Sequence, residues 1–315
     1  MTLLYRDPLF QRHLTGGHHP ERPERLAAIE CALAERNLAS RCREPEWQAA
    51  VRGQIERAHS SEHADRVAAV CEFGGGMLDP DTIASAESNA VALRAAGAGC
   101  DAVSRVLAGE DRFALCLVRP PGHHAVAEAA MGFCLFNNIA IAAHEALARG
   151  VERVLIVDFD VHHGNGTQDL FYEDSRVGFL SIHRHPFYPG TGMEQETGTG
   201  KGLGSTYNIP LPYGTPRRVF LEKFERGLAE MASRIRPELL LVSAGFDAHR
   251  LAPVGSLGLV TDGFPFVTRQ LVELTGAECG GRMISLLEGG YHLEALAACV
   301  GAYLETLLAA EENGA

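Results

Sequence analysis

Acidic and imidazole side chains alternate in the stretch Asp158-Phe-Asp160-Val-His162, which directly follows the apolar run Val154-Leu-Ile-Val157. Such a run is typical of a strand that is buried on both faces of a parallel sheet. Asp160 and His162 are two residues apart, so in extended backbone their side chains point the same way and can bind one metal ion. We therefore expect the functional site where this strand ends.

Other strand-like runs also end in reactive side chains. His123 and His124 follow one run, Asp247 follows a second, and Glu288-Gly-Gly-Tyr291 follows a third. A lone aspartate at a strand end is more often a helix cap, and a lone buried histidine is more often a satisfied core residue. Because several strands would deliver acids, imidazoles and a tyrosine to the same edge of a sheet, the combination favours an active site.

The residue types indicate a metal-dependent hydrolase. Asp247, from another strand end, can complete a set of three ligands with Asp160 and His162. Two carboxylates and one imidazole suit a catalytic divalent ion, most simply zinc, with open positions for water and a substrate carbonyl. Asp158 need not be a ligand, because it can instead accept the second ring N–H of a histidine.

The spacing of apolar residues, glycines and prolines predicts the elements that position these side chains. Besides the run that begins at Val154, strands are predicted at residues 2–5, 113–119, 177–182, 238–243 and 282–287. Helices are predicted up to residue 37 after the Pro-rich segment 16–25, and at residues 60–72, 88–109, 136–149, 217–235, 262–275 and 293–310. We interpret Gly74-Gly-Gly76 as a break in the helix and Asp79-Pro-Asp81-Thr82 as a loop that ends in a helix cap.

The repeated order of strand and then helix predicts an α/β fold. We expect a single domain over residues 1–315, with a central parallel sheet and helices on both faces. In such sheets the ligand crevice lies at the carboxyl ends of the strands. That is where the reactive residues are predicted to lie.

The composition limits the classes of function. A formal net charge of −12 without any concentrated group of Lys and Arg argues against nucleic acid as a ligand, and it only weakly favours cationic partners. No apolar run approaches the roughly 20 residues that cross a bilayer, and residues 1–7 lack the features of a signal peptide. A cytoplasmic location without membrane attachment is expected. The eight cysteines form no CxxC pair, which predicts reduced, buried thiols.

Recognisable motifs are spread across almost the whole chain. They are His18-His-Pro-Glu21-Arg-Pro23, Arg119-Pro-Pro-Gly-His123-His124, Met131-Gly-Phe-Cys-Leu-Phe-Asn-Asn138, Asp158-Phe-Asp160-Val-His162-His163-Gly-Asn165-Gly-Thr-Gln168, Pro189-Gly-Thr-Gly192, Ser243-Ala-Gly-Phe-Asp247-Ala-His249 and Glu288-Gly-Gly-Tyr291. In this order they resemble the histone deacetylase superfamily, which has the arginase-like deacetylase fold. The form His163-Gly-Asn-Gly-Thr-Gln168 is similar to that of the class II branch and its bacterial relatives.

The resemblance implies a zinc-dependent deacetylase. Its zinc ligands would be Asp160, His162 and Asp247. His124 would be the general base that activates the bound water, and His123 would be its tandem partner. Alone, His18 and His19 are also candidate loop ligands, but no third group in the nearby sequence matches them.

Further roles follow from the resemblance. Tyr291 would donate its hydroxyl to the oxyanion that forms on the substrate carbonyl, while Asp158 would pair with His123 and Asn165 with His124. A neutral amide stabilises an imidazolium less than a carboxylate does, so His124 is expected to stay closer to neutral and able to act as a base.

Relatives in the superfamily also bind potassium beside the zinc. The resemblance implies a site formed by the Asp158 carboxylate, by main-chain oxygens of Asp160 and His162, and by Ser181 and Ile182. The alternative is that Asp158 serves only its histidine.

The resemblance also assigns the substrate pocket. Phe133 and Tyr188 would flank the methylenes of an acyl-lysine, and Gly132 would let the backbone approach the acyl group. Asp79 or Asp81 would bind substrate backbone amides, although a helix cap is an equal alternative there.

Single residues decide between the possible substrates and between the alternative functions. An acylated lysine peptide or protein is favoured over an acetylpolyamine, because polyamine-selective relatives carry an acid where this chain has Val254.

An arginase-like ureohydrolase would need further carboxylates, and Asn165 is an amide. A non-catalytic binding protein would be expected to lack Tyr291 or a ligand. The stretch Gly198–Ser205 departs from a phosphate-binding loop, and a homo-oligomer is compatible with the sequence.

Overall fold

A central sheet of seven strands organises the structure. The computed structural model describes residues 1–312. In chain order the elements are β1 (Leu3–Tyr5), α1 (Glu24–Glu35), α2 (Arg52–Ile55), α3 (Ser61–Glu72), β2 (Gly75–Asp79), β3 (Thr82–Ser85), α4 (Ser88–Leu107), β4 (Phe113–Cys116), α5 (Asn138–Ala148), β5 (Val154–Asp158), α6 (Asn165–Phe171), β6 (Val177–Arg184), β7 (Thr206–Leu211), α7 (Arg217–Ile235), β8 (Leu239–Ala244), α8 (Gly263–Glu278), β9 (Met283–Leu287) and α9 (Leu293–Glu312).

The strand order in this sheet is β1-β4-β9-β8-β5-β6-β7, and every neighbouring pair is parallel. All residues of β5, β8 and β9 are buried, which requires cover on both faces of the sheet. The predicted α/β class with a central parallel sheet is confirmed.

The register of the central strands explains where the site forms. Asp158, the last residue of β5, is aligned with Ser181 on β6 and Ser243 on β8. The loops after β5 and β8 therefore leave the sheet at the same level and meet at its carboxyl edge.

The glycine-rich segment after α3 differs from the prediction. Gly75–Asp79 and Thr82–Ser85 pair as an antiparallel hairpin, so the expected loop and helix cap at residues 79–82 is wrong. Gly75 has a φ of +108°, and a Cβ there would collide with the carbonyl oxygen of Ala84 on the paired strand. The glycines interpreted as a break therefore allow the hairpin to close.

Two other elements modify the sequence interpretation. Residues 206–211 form the edge strand β7, which was not predicted as a strand, and the rejected phosphate-loop stretch instead forms a 3₁₀ turn before it. Helix α9 is long and apolar enough to cross a membrane, but more than half of it is buried and it packs against α1 and α8. We interpret it as a core helix.

The cysteines are free thiols, as predicted. All eight lack a disulfide partner, and most of them are buried. Cys31 is exposed and Cys42 is half-buried, so the predicted burial does not extend to these two residues.

A buried ion cluster ties the N-terminal segment to the sheet edge. The carboxylate of Glu21 accepts hydrogen bonds from the guanidinium groups of Arg119 and Arg25, and all three side chains are fully buried. Arg25 also donates to the carbonyl oxygens of Gly290, at 2.7 Å, and of Glu288. The cluster therefore holds the chain immediately before Tyr291.

We expect Glu21 to make stability sensitive to acid. Burial alone would raise the pKa of this carboxyl, but Arg119 and Arg25 outweigh burial and lower the pKa to about 2. A lowered carboxyl pKa contributes stability that is complete above the ordinary value near 4.5 and is lost as the pH falls toward 2. Between about pH 5 and pH 3.5, the free energy of unfolding should fall by roughly 1 kcal/mol more in the native protein than in Glu21→Gln.

Urea unfolding of both proteins at the two pH values measures this difference. The variant also leaves two buried guanidinium groups without their carboxylate, so it should be less stable by roughly 3–5 kcal/mol at neutral pH. Equal acid sensitivity of the two proteins would contradict the role assigned to Glu21.

Candidate active site

The loops after β5 and β8 bring three ligand-type side chains together. Asp160 and His162 follow β5, and Asp247 follows β8. One ligand atom from each lies within 4.8 Å of the others, and all three residues are buried. Among residues 1–312 no second group of three or more His, Cys, Asp or Glu side chains meets this criterion.

The free atoms of this triad fit a metal ion. Asp247 accepts the N–H of Val161 at 2.9 Å through Oδ1, whereas its buried Oδ2 has no hydrogen-bond partner. That Oδ2 lies 3.2 Å from Nδ1 of His162. A buried carboxylate oxygen without a partner is costly, and a cation removes that cost.

Glycines shape the space around the carboxylates. A Cβ at Gly245 would collide with the side chain of Asp160, and a Cβ at Gly289 would collide with the carboxylate of Asp247. The N–H of Gly289 donates to Oδ2 of Asp160 at 2.8 Å. The backbone at Gly245 and Gly289 therefore packs closely against the carboxylates of the triad.

The tandem histidines lie beside the triad with different partners. Nδ1 of His123 donates to Oδ2 of Asp158 at 2.9 Å, and Nδ1 of His124 donates to Oδ1 of Asn165 at 2.8 Å. The two imidazole rings are 4.1 Å apart, and the ring of His124 is 5.9 Å from that of His162. These hydrogen bonds are the ones that the resemblance implies.

The electrostatic surroundings distinguish the two histidines. Burial lowers the pKa of His123, but the carboxylates around it, foremost Asp158, outweigh burial and raise the pKa to about 10. Burial and then the charge of His123 lower the pKa of His124 well below its ordinary value. His124 is therefore neutral, and its hydrogen bond to Asn165 leaves Nε2 free to accept a proton.

Tyr291 lies at the inner wall of the site. Its ring packs edge-on against Phe133, with centroids 5.8 Å apart, and the guanidinium of Arg25 lies 5.1 Å from its ring centroid. Burial, followed by the charge of Asp247, raises the pKa of Tyr291 well above its ordinary value. The hydroxyl therefore stays protonated and can only act as a donor toward a negatively charged oxygen.

Two aromatic residues connect the site to the surface. Tyr188, which is 37% exposed, packs edge-on against His124 at 5.2 Å. Gly132 and Phe133 both have positive φ, of 57° and 71°, and a Cβ at Gly132 would collide with the ring of His124. Gly132 is therefore required for the backbone to pass this histidine.

The turn of the β2–β3 hairpin holds the backbone of Gly132 and Phe133 in place. Oδ1 of Asp81 accepts the N–H of Gly132 at 3.1 Å, and Oγ1 of Thr82 accepts the N–H of Phe133 at 3.0 Å. Burial raises the pKa of Asp79, and so does a side-chain hydrogen bond that the protonated Asp79 donates to Asp81. Asp81 is thus held by its hydrogen bond to the backbone of Gly132, while the carboxyl of Asp79 binds no backbone N–H of this segment.

The residues predicted to bind potassium also lie together. Oδ1 of Asp158 accepts the N–H of Asp160 at 3.1 Å, and Ser181 is aligned with Asp158 on the next strand. Oγ of Ser181 is 2.9 Å from Nδ1 of His183, and Ile182 is fully buried. The potassium site stays a prediction.

Val254 lies partly exposed on the loop after β8. The next residue, Gly255, accepts a hydrogen bond from Arg184 at 2.7 Å, and the Arg184 guanidinium lies 4.1 Å from the ring centroid of Phe187. Phe187 in turn stacks on His162, with centroids 5.2 Å apart. The loop also contacts the triad directly, because the N–H of Ser256 donates to the carbonyl oxygen of Asp247 at 2.9 Å.

Two contributors were missed from the sequence, and a third was noticed without its contacts. Arg25 acts across more than 260 residues, and the stack of Phe187 on His162 has no local signal. Glu288 was noticed only as an acid near a strand end, but its carboxylate accepts the backbone N–H of His123, the first of the tandem histidines. His18 and His19 do not belong to the triad, and Nδ1 of His19 instead lies 2.9 Å from the carbonyl oxygen of Glu21.

Comparisons with known proteins identify the family. The family model of the histone deacetylase domain matches residues 19–307. A probable deacetylase of Archaeoglobus fulgidus is 39% identical over 289 residues, covering 90% of this chain and 80% of its own. Histone deacetylase 10, chloroplastic, of Oryza sativa subsp. japonica is 40% identical over 300 residues, covering 90% of this chain and 68% of its own.

A solved structure has the same fold. The crystal structure of the HDA15 HD domain superposes with a TM-score of 0.93 at 37% sequence identity, covering 98% of this chain and 88% of the other. The family match and the structural match therefore agree on the fold.

Proposed function

The chain belongs to the histone deacetylase family, and from that premise we propose that it is a zinc-dependent amidohydrolase that removes acetyl or other acyl groups from lysine side chains. The observation that carries the proposal is the buried triad of Asp160, His162 and Asp247, with an unpartnered carboxylate oxygen, beside a neutral His124. Two carboxylates and one imidazole leave positions open for a substrate carbonyl and a water.

The triad would hold the zinc ion, which when bound supplies Lewis-acid polarisation of the carbonyl and an acidified water. His124 then accepts the proton of the attacking water at Nε2, because its Nδ1–H is committed to Asn165. The same Nε2 returns that proton to the amine nitrogen as the C–N bond breaks. His123, held by Asp158, contributes positive charge beside the reacting centre.

Tyr291 supplies the remaining donor. Its protonated hydroxyl donates to the carbonyl oxygen as negative charge develops there. We also propose that potassium binds at Asp158, the main-chain oxygens of Asp160 and His162, and Ser181 with Ile182. The alternative, in which Asp158 serves only His123, rests on the hydrogen bond between these two residues.

We propose that the pocket selects a long alkyl chain. Phe133 packs against Tyr291, and Tyr188 packs against His124. These contacts place aromatic rings around the path to the reacting centre. Asp79 is the carboxyl that would bind substrate backbone amides. Residues 1–315 would act as one catalytic domain, and a cytoplasmic location is proposed although the rice relative is named chloroplastic.

A comparison of substrates tests this proposal. We expect kcat/KM to be higher for an acetyl-lysine peptide than for acetylated spermidine, because Val254 offers no charge to a secondary ammonium. Val254→Glu should shift the ratio toward the polyamine by at most roughly fivefold, since an exposed ion pair is worth up to about 1 kcal/mol. Longer acyl-lysines in the same assay measure the acyl-length preference. A native enzyme that prefers the polyamine would favour the second candidate, an acetylpolyamine deacetylase.

A further inference from the structure

We infer that Glu288 is a positioning residue, which fixes the backbone of the tandem histidines so that His124 faces the reacting carbonyl. This inference rests on the proposed function and deepens it. It concerns a residue that touches neither substrate nor metal ligand in the proposed mechanism and acts through its neighbours.

The carboxylate of Glu288 makes three hydrogen bonds at the sheet edge. Oε2 accepts the N–H of Gly122 at 2.7 Å and the N–H of His123 at 3.2 Å. Oε1 accepts the hydroxyl of Ser243 at 3.2 Å. The residue is 1% exposed, so these bonds are shielded from water.

The loop that carries the histidines depends on these bonds. Pro120 and Pro121 have no N–H, so Gly122 and His123 provide the first backbone donors after this pair of prolines. Both donors bind the same oxygen of Glu288. A Cβ at Gly122 would collide with the N–H of Asn138 at the start of α5, so the loop is packed tightly on its other side.

The backbone of Glu288 is itself held by hydrogen bonds on both sides. Its N–H donates to the carbonyl oxygen of Ala244 at 3.0 Å, and its carbonyl oxygen accepts from the buried Arg25. The following N–H, of Gly289, donates to Asp160 at 2.8 Å. One short segment thus fixes the tandem histidines, a triad carboxylate and the position of Tyr291 relative to one another.

Two substitutions separate the effect of side-chain length at position 288 from the effect of its charge. Glu288→Gln keeps the length of the side chain and an acceptor oxygen but removes the charge, and Ser243 can then accept instead of donate. Glu288→Asp keeps the charge but withdraws the acceptor by one methylene from Gly122 and His123. Since a displacement of about 1 Å near the reacting groups can cost about 10²-fold, Glu288→Asp should lower kcat by about 10²-fold and Glu288→Gln by less than about tenfold.

The measurements are kcat and KM on an acetyl-lysine peptide, zinc content, and ¹⁵N spectra of the histidine rings in the zinc-loaded protein. We expect zinc content and KM to change little in both variants. The ring signals of His123 and His124 should move in Glu288→Asp and stay close to native in Glu288→Gln. Glu145→Gln is the control, because Glu145 is a buried carboxylate on α5 that binds Arg57 and Arg149.

The outcomes are distinguishable. Equal losses in both variants, a larger loss in Glu288→Gln, or native rates in both would overturn the positioning role. If the native protein releases no acetate, the proposed function fails, and the histidine spectra alone still decide whether Glu288 positions the rings. Unchanged ring signals in Glu288→Asp would then overturn the inference.

Discussion

Tyr291→Phe is expected to lower kcat for an acetyl-lysine peptide by about 10²–10³-fold, the cost of removing one oxyanion donor. The side chain is buried and its hydroxyl stays protonated, so the native residue can donate a hydrogen bond that strengthens as charge develops on the carbonyl oxygen. The phenyl ring of the variant keeps the edge-on contact with Phe133. Zinc content and KM should therefore stay near the native values.

Tyr303→Phe is the matched control for that experiment. Tyr303 is also a buried tyrosine, but its hydroxyl is 2.7 Å from Oγ of Ser285 within the core. This control should retain the native kcat while losing some stability. Native turnover in Tyr291→Phe would remove the oxyanion role from Tyr291.

Asp247→Asn is expected to abolish both zinc binding and turnover. The amide oxygen can still accept the N–H of Val161, so the loop after β8 should keep its shape. The variant removes the charge of a ligand whose second oxygen accepts no hydrogen bond and lies 3.2 Å from Nδ1 of His162. Lewis-acid stabilisation is worth several kcal/mol, so loss of the ion should lower kcat/KM by at least about 10³-fold.

Metal analysis and acetate release on the same sample measure this effect. Asp101→Asn is a suitable control, because Asp101 is a partly buried carboxylate that pairs with Arg105 on α4. The control should bind one zinc ion and turn over at the native rate. If Asp247→Asn retained both zinc and activity, Asp247 would not be a ligand.

The parts of the fold that sequence could predict are those with a local periodic signal. β5, β8 and β9 are buried throughout and mostly apolar, and these strands were predicted within a residue or two of their ends. The alternation of Asp160 and His162 after β5 is equally local. The fold class and the grouping of reactive residues at the carboxyl edge both followed from such signals.

Other features depend on contacts between distant segments. The β2–β3 hairpin was missed because its glycines indicate a break until the close approach of Ala84 is known. The edge strand β7 contains Pro210 and has a weaker apolar pattern than the central strands. Glu288 and Arg25 carry no local signal of their partners, which lie up to 265 residues away.

Zinc titration of metal-free protein, with acetate release from an acetyl-lysine peptide as the readout, tests the central claim most directly. The triad is the single group of its kind among residues 1–312. Activity should therefore rise linearly to one zinc ion per chain and then stay constant. A rise that continues to two ions per chain would indicate arginase-like chemistry, and protein that binds one zinc ion but releases no acetate would contradict the proposed deacetylase function.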